Sequence, residues 1–100
     1  HTSIAAAKSA IEGFAKALAA ENAPKWRVNV IAPSLTDTPL AGRLLSNDKK
    51  RELIAEKHPL KRVGSAQEIA QMAYFLVSDK AGWITGQVIG IDGGKSTLSI

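Results

Sequence analysis

Lys8 is the side chain with the most chemistry to offer: an ammonium near the head of an alanine-rich segment, with Ile4 four residues before it. Residues four apart on a helix are stacked neighbours. Isoleucine cannot donate a proton. A second group of reactive types is the hydroxyl-rich run Ser34 to Pro39, S-L-T-D-T-P. Two histidines complete the inventory. His1 stands seven residues before Lys8 and would share its face, about 10 Å along the axis, if the helix reached that far. Its imidazole suits acid–base work, although a chain start is expected to be frayed or loop-borne. His58, preceding Pro59 at a helix end, reads as a capping or surface residue. With no cysteine and two histidines, no metal site is expected.

These groups need elements to hold them. From Ser3 to about Asn22, Ile4, Ala7, Ile11, Phe14, Ala15 and Leu18 recur at three- and four-residue steps among good helix formers, which predicts a helix ended by Ala23-Pro24. Its many alanines suit close helix packing. Arg27 to Ala32 is a β-branched run that predicts a mostly buried strand ending at Pro33. The hydroxyl-rich loop then falls at the carboxyl end of a strand, where ligands sit in open α/β sheets. Asp37 is expected to cap the short helical turn beginning at Pro39, and Thr38 could cap it and also bind a ligand.

Ser46-Asn47-Asp48 can cap a second helix running to about Lys57. Ser65 and Glu68 match a capping box that opens a third helix, with Ile69, Met72, Ala73 and Leu76 on one stripe. Gln87 to Asp92 is a last strand, and Gly93-Gly94 allow positive φ in the turn that closes it. Helix, strand, helices, strand predicts an α/β protein with a parallel sheet. Two strands are few for such a sheet, so residues 1–100 are expected to be part of a larger domain.

The charge balance, 13 Lys and Arg against 9 Asp and Glu, gives +4. Its one dense cluster, Lys49-Lys50-Arg51, meets Glu52 directly and reads as a solvated helix face. No aromatic-interleaved basic stripe accompanies it, so no nucleic-acid partner is expected. No apolar run of 18 residues and no leader pattern occur, so no membrane association is expected and a cytoplasmic location fits.

In order and spacing, Lys8-Ser9-Ala10-Ile11-Glu12-Gly13-Phe14, Val28-Asn29-Val30-Ile31-Ala32-Pro33, Thr36-Asp37-Thr38-Pro39 and Ile84-Thr85-Gly86-Gln87-Val88-Ile89-Gly90-Ile91-Asp92-Gly93-Gly94 resemble the C-terminal portion of a short-chain dehydrogenase/reductase. Pro59 to Gly64 and Glu68-Ile69-Ala70 extend the likeness over nearly the whole chain. The resemblance implies the C-terminal part of a Rossmann-like doubly wound parallel sheet. It also implies NAD or NADP as cofactor, a small carbonyl or alcohol substrate, and a homo-oligomer, dimer or tetramer.

Residue by residue, Lys8 matches the catalytic-site lysine that hydrogen-bonds the nicotinamide ribose hydroxyls, a sensible task for an amine over a diol. Pro33, Ser34, Leu35, Thr36 and Thr38 match the cofactor loop, with Ser34 replacing the usual glycine. There the backbone at Thr36 would hold the nicotinamide carboxamide, and the Thr38 hydroxyl would reach the carboxamide or the phosphates. Ile4 stands where the family has its catalytic tyrosine. The family's upstream phosphate loop and catalytic Ser and Asn lie outside this sequence, whose parent is expected to have roughly 230 to 260 residues.

Three readings follow. The parent is an NAD(P)-dependent oxidoreductase of atypical site, or a member that has lost catalysis and serves as a cofactor-binding or oligomer scaffold, or an unrelated basic binding module. For the 100 residues alone, no catalysis is expected. Their uncovered strand edge and apolar helix face are expected to drive self-association, which light scattering would reveal.

Overall fold

The computed structural model describes residues His1–Ser99. They form two compact units, His1–Val30 with Phe75–Ile89, and Ile31–Tyr74 with the chain from Gly90 onward. The element order is α1 (Thr2–Asn22), β1 (Val30–Pro33), β2 (Thr36–Asp37), α2 (Asp48–Glu56), β3 (Gly64–Ser65), α3 (Ala66–Val77) and β4 (Val88–Ile91). Single 3-10 turns lie at Pro39–Ala41 and Asp79–Ala81. The expected α/β alternation is thus present. No described helix is long and apolar enough to cross a membrane.

In the first unit α1 buries only its smallest side chains, Ala15 and Ala19. Ile4, Ile11 and Phe14 stay 52%, 59% and 68% exposed, an apolar stripe with nothing over it among the described residues. The helix closes on Asn22, whose amide donates to the Leu18 carbonyl at 2.9 Å. After Pro24 the chain runs back along the Ile84–Gln87 segment. Gly86 N–H donates to Val28 and Val30 N–H to Gln87, and in the second unit Ser34 N–H donates to Ile91. Both partners advance together along the sequence, so β1 and β4 are parallel neighbours.

The first strand is shorter than its β-branched run implies. Arg27, Val28 and Asn29 precede it, and beside the backbone bond from Gly86 to Val28 the cross-links there are made by side chains. The Asn29 amide donates to Ile84 O at 3.1 Å and its carbonyl accepts from Gln87 N–H at 3.1 Å. Thr85 Oγ1 accepts from Val28 N–H at 3.0 Å. Arg27 is a clamp: its guanidinium donates to the carbonyls of Leu76 at 2.8 Å, Ser78 at 3.2 Å and Ile84 at 3.3 Å. Two of these belong to the end of α3 and the residue just beyond it, where carbonyls have no helical partner and a cation is favoured.

The second unit holds a further parallel pair that pattern reading does not show. β2 and β3 align Thr36 with Gly64 and Asp37 with Ser65. Two residues carry no periodicity, so such strands escape sequence analysis. Its buried side chains are Ala41, Leu45 and His58. Asn47 caps α2 by accepting from Lys50 N–H at 2.8 Å, as expected.

The capping box of α3 is complete. Ser65 Oγ accepts from Glu68 N–H at 3.2 Å, and Glu68 Oε1 accepts from Ser65 N–H at 3.0 Å. On α3 Ile69 and Met72 are half-buried and Leu76 is buried, whereas Ala73, expected on the same stripe, is exposed. Arg62 grips the Glu68 carboxylate with two bonds of 2.7 and 2.6 Å, the planar fork that Lys cannot supply.

The Arg62 guanidinium and the Ser65 N–H hold Glu68 down to about 2. A depressed acid contributes stability that is complete above its unfolded value, near 4.3, and is lost as pH falls through its folded one. Acid titration followed by circular dichroism should show α3 losing support between about pH 4.5 and 2. Glu68→Gln should flatten that part of the curve, and an unchanged slope would show that the carboxylate does not couple to folding.

Candidate functional site

Lys8 sits in the first third of α1, fully on its solvent side, and takes part in none of the ion pairs among the described residues. Its neighbour one turn back, Ile4, is half exposed and offers no proton. His1 occupies the N-cap position, makes no side-chain capping bond and is exposed. Its carbonyl accepts from Ala5 N–H at 3.0 Å, so the helix proper begins one residue after it.

In the second unit Pro33 ends β1, and the chain passes through Ser34 and Leu35 into β2 at Thr36. Leu35 O accepts from Gly64 N–H at 3.4 Å, and Thr36 Oγ1 donates to Ser34 O at 3.0 Å. The run between β1 and the 3-10 turn is therefore a braced segment and not an open loop. Thr38 stands at the N-cap position before Pro39, yet its side chain makes no capping bond. Its half-buried hydroxyl is left for another partner. Asp37 does not cap that turn either, contrary to expectation. It faces Arg51 of α2 at 3.1 Å, and both partners are about half exposed, so the pair adds little stability. The turn begins at a proline, which has no N–H to satisfy at that point.

His58 is the larger correction. It is 3% exposed and so not on the surface, whereas its ring meets a carbonyl in the last turn of α2, which is the capping half of the expectation. Its Nδ1 lies 2.9 Å from Ile54 O and its Nε2 2.8 Å from Ser34 Oγ. The two partners are 4 and 24 residues away, and a contact at that second separation has no periodic signature in the sequence.

A cleft of about 270 Å³ lies in the second unit, lined among others by Ser34, His58, Arg62, Glu68 and Asp92. Asp92 sits in the turn after β4, where the Ser96 hydroxyl, with which it makes a hydrogen bond, and the Gly94 N–H hold its carboxyl below the usual range. Gly93 and Gly94 have φ of 61° and 88°, as the expected positive-φ turn requires. At Gly94 a Cβ would come within 3.2 Å of Pro59, so the turn needs a glycine for space as well as for conformation.

Taken separately, the donor types fit parts of a nicotinamide dinucleotide. In the first unit the Lys8 ammonium, in no ion pair among the described residues, can donate to a ribose diol. In the second the Thr38 hydroxyl, which makes no capping bond, can donate to a carboxamide.

Comparison with known proteins bears on the family and the fold. Residues 1–96 match the family model described as Enoyl-(Acyl carrier protein) reductase. The 3-oxoacyl-(acyl-carrier-protein) reductase FabG of Thermotoga maritima is 44% identical over 94 residues, covering 93% of this chain and 37% of that protein. A short-chain dehydrogenase/reductase structure from Brucella melitensis superposes with TM-score 0.83 at 36% identity, over 93% of this chain and 37% of the other. A 4-hydroxyisoleucine dehydrogenase complexed with NADH gives TM-score 0.86 at 34% identity, over 94% and 39%. The chain thus spans little more than a third of the length of the curated relatives it matches. Its parallel α/β architecture is that of Rossmann-like dehydrogenase structures, and the chain belongs to the short-chain dehydrogenase/reductase family.

Proposed function

We propose that this chain is the C-terminal part of an NAD(P)-dependent oxidoreductase that moves hydride between the nicotinamide and a carbonyl or alcohol, and that the 100 residues alone do not catalyse. What carries the reading is that, among the described residues, Lys8 makes no ion pair and Thr38 no capping bond, in a chain of this family. The NADH held by the similar 4-hydroxyisoleucine dehydrogenase supports the class of coenzyme.

When bound, the nicotinamide supplies or accepts the hydride. Lys8 orients the ribose through its ammonium, and Pro33, Ser34, Leu35 and Thr36 form the backbone shelf for the carboxamide, with the Thr38 hydroxyl donating to the carboxamide or a phosphate. The substrate oxygen takes its proton from a group other than residue 4. A cytoplasmic location and a homo-oligomer built over the exposed α1 stripe belong to the same proposal.

A second reading has one observation in its favour. Ile4 cannot exchange a proton, which fits a member that binds coenzyme or scaffolds an oligomer without turnover. The test is NADH and NADPH oxidation by the full-length protein against a panel of small carbonyls. Turnover with any of them is expected, whereas coenzyme binding with no turnover on the whole panel would favour the scaffold.

A further inference from the structure

His58 is a buried titratable ring that the reading above leaves without a task. The Ile54 carbonyl 2.9 Å from Nδ1 can only accept, so Nδ1 carries a proton. Ser34 Oγ lies 2.8 Å from Nε2 and makes the ring's second hydrogen bond. The other polar groups of Ser34 are also engaged: its N–H donates to Ile91 O at 3.3 Å, and its carbonyl accepts from the Thr36 hydroxyl at 3.0 Å. Ser34 is thereby tied to β4, to the end of α2 and to β2.

A buried imidazole is costly unless its nitrogens are bonded, and an apolar residue of like volume would fill the space without that cost. Both ring nitrogens are bonded, and one of the bonds reaches the segment read as the coenzyme shelf. Glycine, which the resemblance leads one to expect at position 34, would leave this backbone looser. A serine anchored through its side chain stiffens it instead.

Resting on the coenzyme-binding reading, we propose that His58 is a positioning residue, which holds Ser34, and through it the backbone to Thr36, in the conformation that receives the nicotinamide end of the coenzyme. The ring touches neither coenzyme nor substrate. Its effect passes through one hydrogen bond.

The experiment compares Ser34→Ala, His58→Gln and the double variant in the full-length protein, by coenzyme fluorescence titration and steady-state kinetics. Each single variant is expected to raise the coenzyme KM about three- to tenfold, the worth of one hydrogen bond, with kcat falling less. The double variant should be no worse than the more affected single one, because both changes remove the same bond. Ser34→Thr, which keeps the hydroxyl, should recover most of the loss. Additive penalties, or lowered melting temperature with an unshifted KM, would overturn the proposal. Should His58→Gln fail to fold, the Ala and Thr substitutions at Ser34 still decide it. Wild-type protein without coenzyme affinity would overturn the functional reading and this inference with it, whereas wild-type binding with unshifted variants would overturn the inference alone.

Discussion

Lys8→Met in the full-length protein is expected to lower kcat/KM for coenzyme by roughly a hundredfold or more, with no change in melting temperature. Hydrogen bonds from a charged donor are worth about 1.5–3 kcal/mol each, and an ammonium over a diol can make two. Even at the lower end this amounts to about two powers of ten. The fold should not notice the change. Lys8 is exposed and unpaired in ions among the described residues, and methionine is nearly as good a helix former. Lys8→Arg should restore only part of the loss, because a planar fork does not place its donors where a compact ammonium does. Steady-state kinetics beside a thermal melt separates these outcomes. An unaltered KM would mean that Lys8 is a solvated helix lysine and nothing more.

The largest expected effect on stability is at Arg27. Truncation to alanine leaves the carbonyls of Leu76, Ser78 and Ile84 without their donor in a partly buried place. Removing a charged donor from part-buried acceptors costs on the order of 2–4 kcal/mol, and the last turn of α3 loses the cation that offsets its dipole. The melting temperature of the full-length protein should fall by several degrees. Arg27→Lys should recover a minority of that, since one point charge cannot span three acceptors. A change below about 0.5 kcal/mol would show that water replaces the guanidinium without penalty.

Both residues illustrate which parts of the molecule a sequence reveals. The long elements were legible because their signals are periodic or stereotyped. The alanine-rich spacing of α1, the Asn47 cap and the Ser65–Glu68 box each rest on neighbours within four residues, and the structure has all of them. What was not legible depends on contacts across the chain. Arg27 reads as the first residue of a strand, yet its partners lie 49 to 57 residues away. His58 reads as a helix-end residue, and only the fold brings Ser34 against it. Asp37 reads as a cap, but Arg51, 14 residues on, draws its carboxylate away. The pairing of β2 with β3 depends on Gly64 and Ser65 arriving beside Thr36 and Asp37, which no two-residue pattern encodes.

The candidate site divides in the same way. Lys8 and the segment from Pro33 to Thr38 stand out in the sequence by residue type and by resemblance. That Thr38 keeps its hydroxyl uncommitted, while Ser34 has every polar group engaged, needed atomic geometry.

The coenzyme claim is tested most directly by titrating the full-length protein with NADH and with NADPH and following nicotinamide fluorescence. Saturable binding of at least one, weakened by Lys8→Met, is the predicted result. Absence of saturable binding of either coenzyme to folded protein would contradict the account.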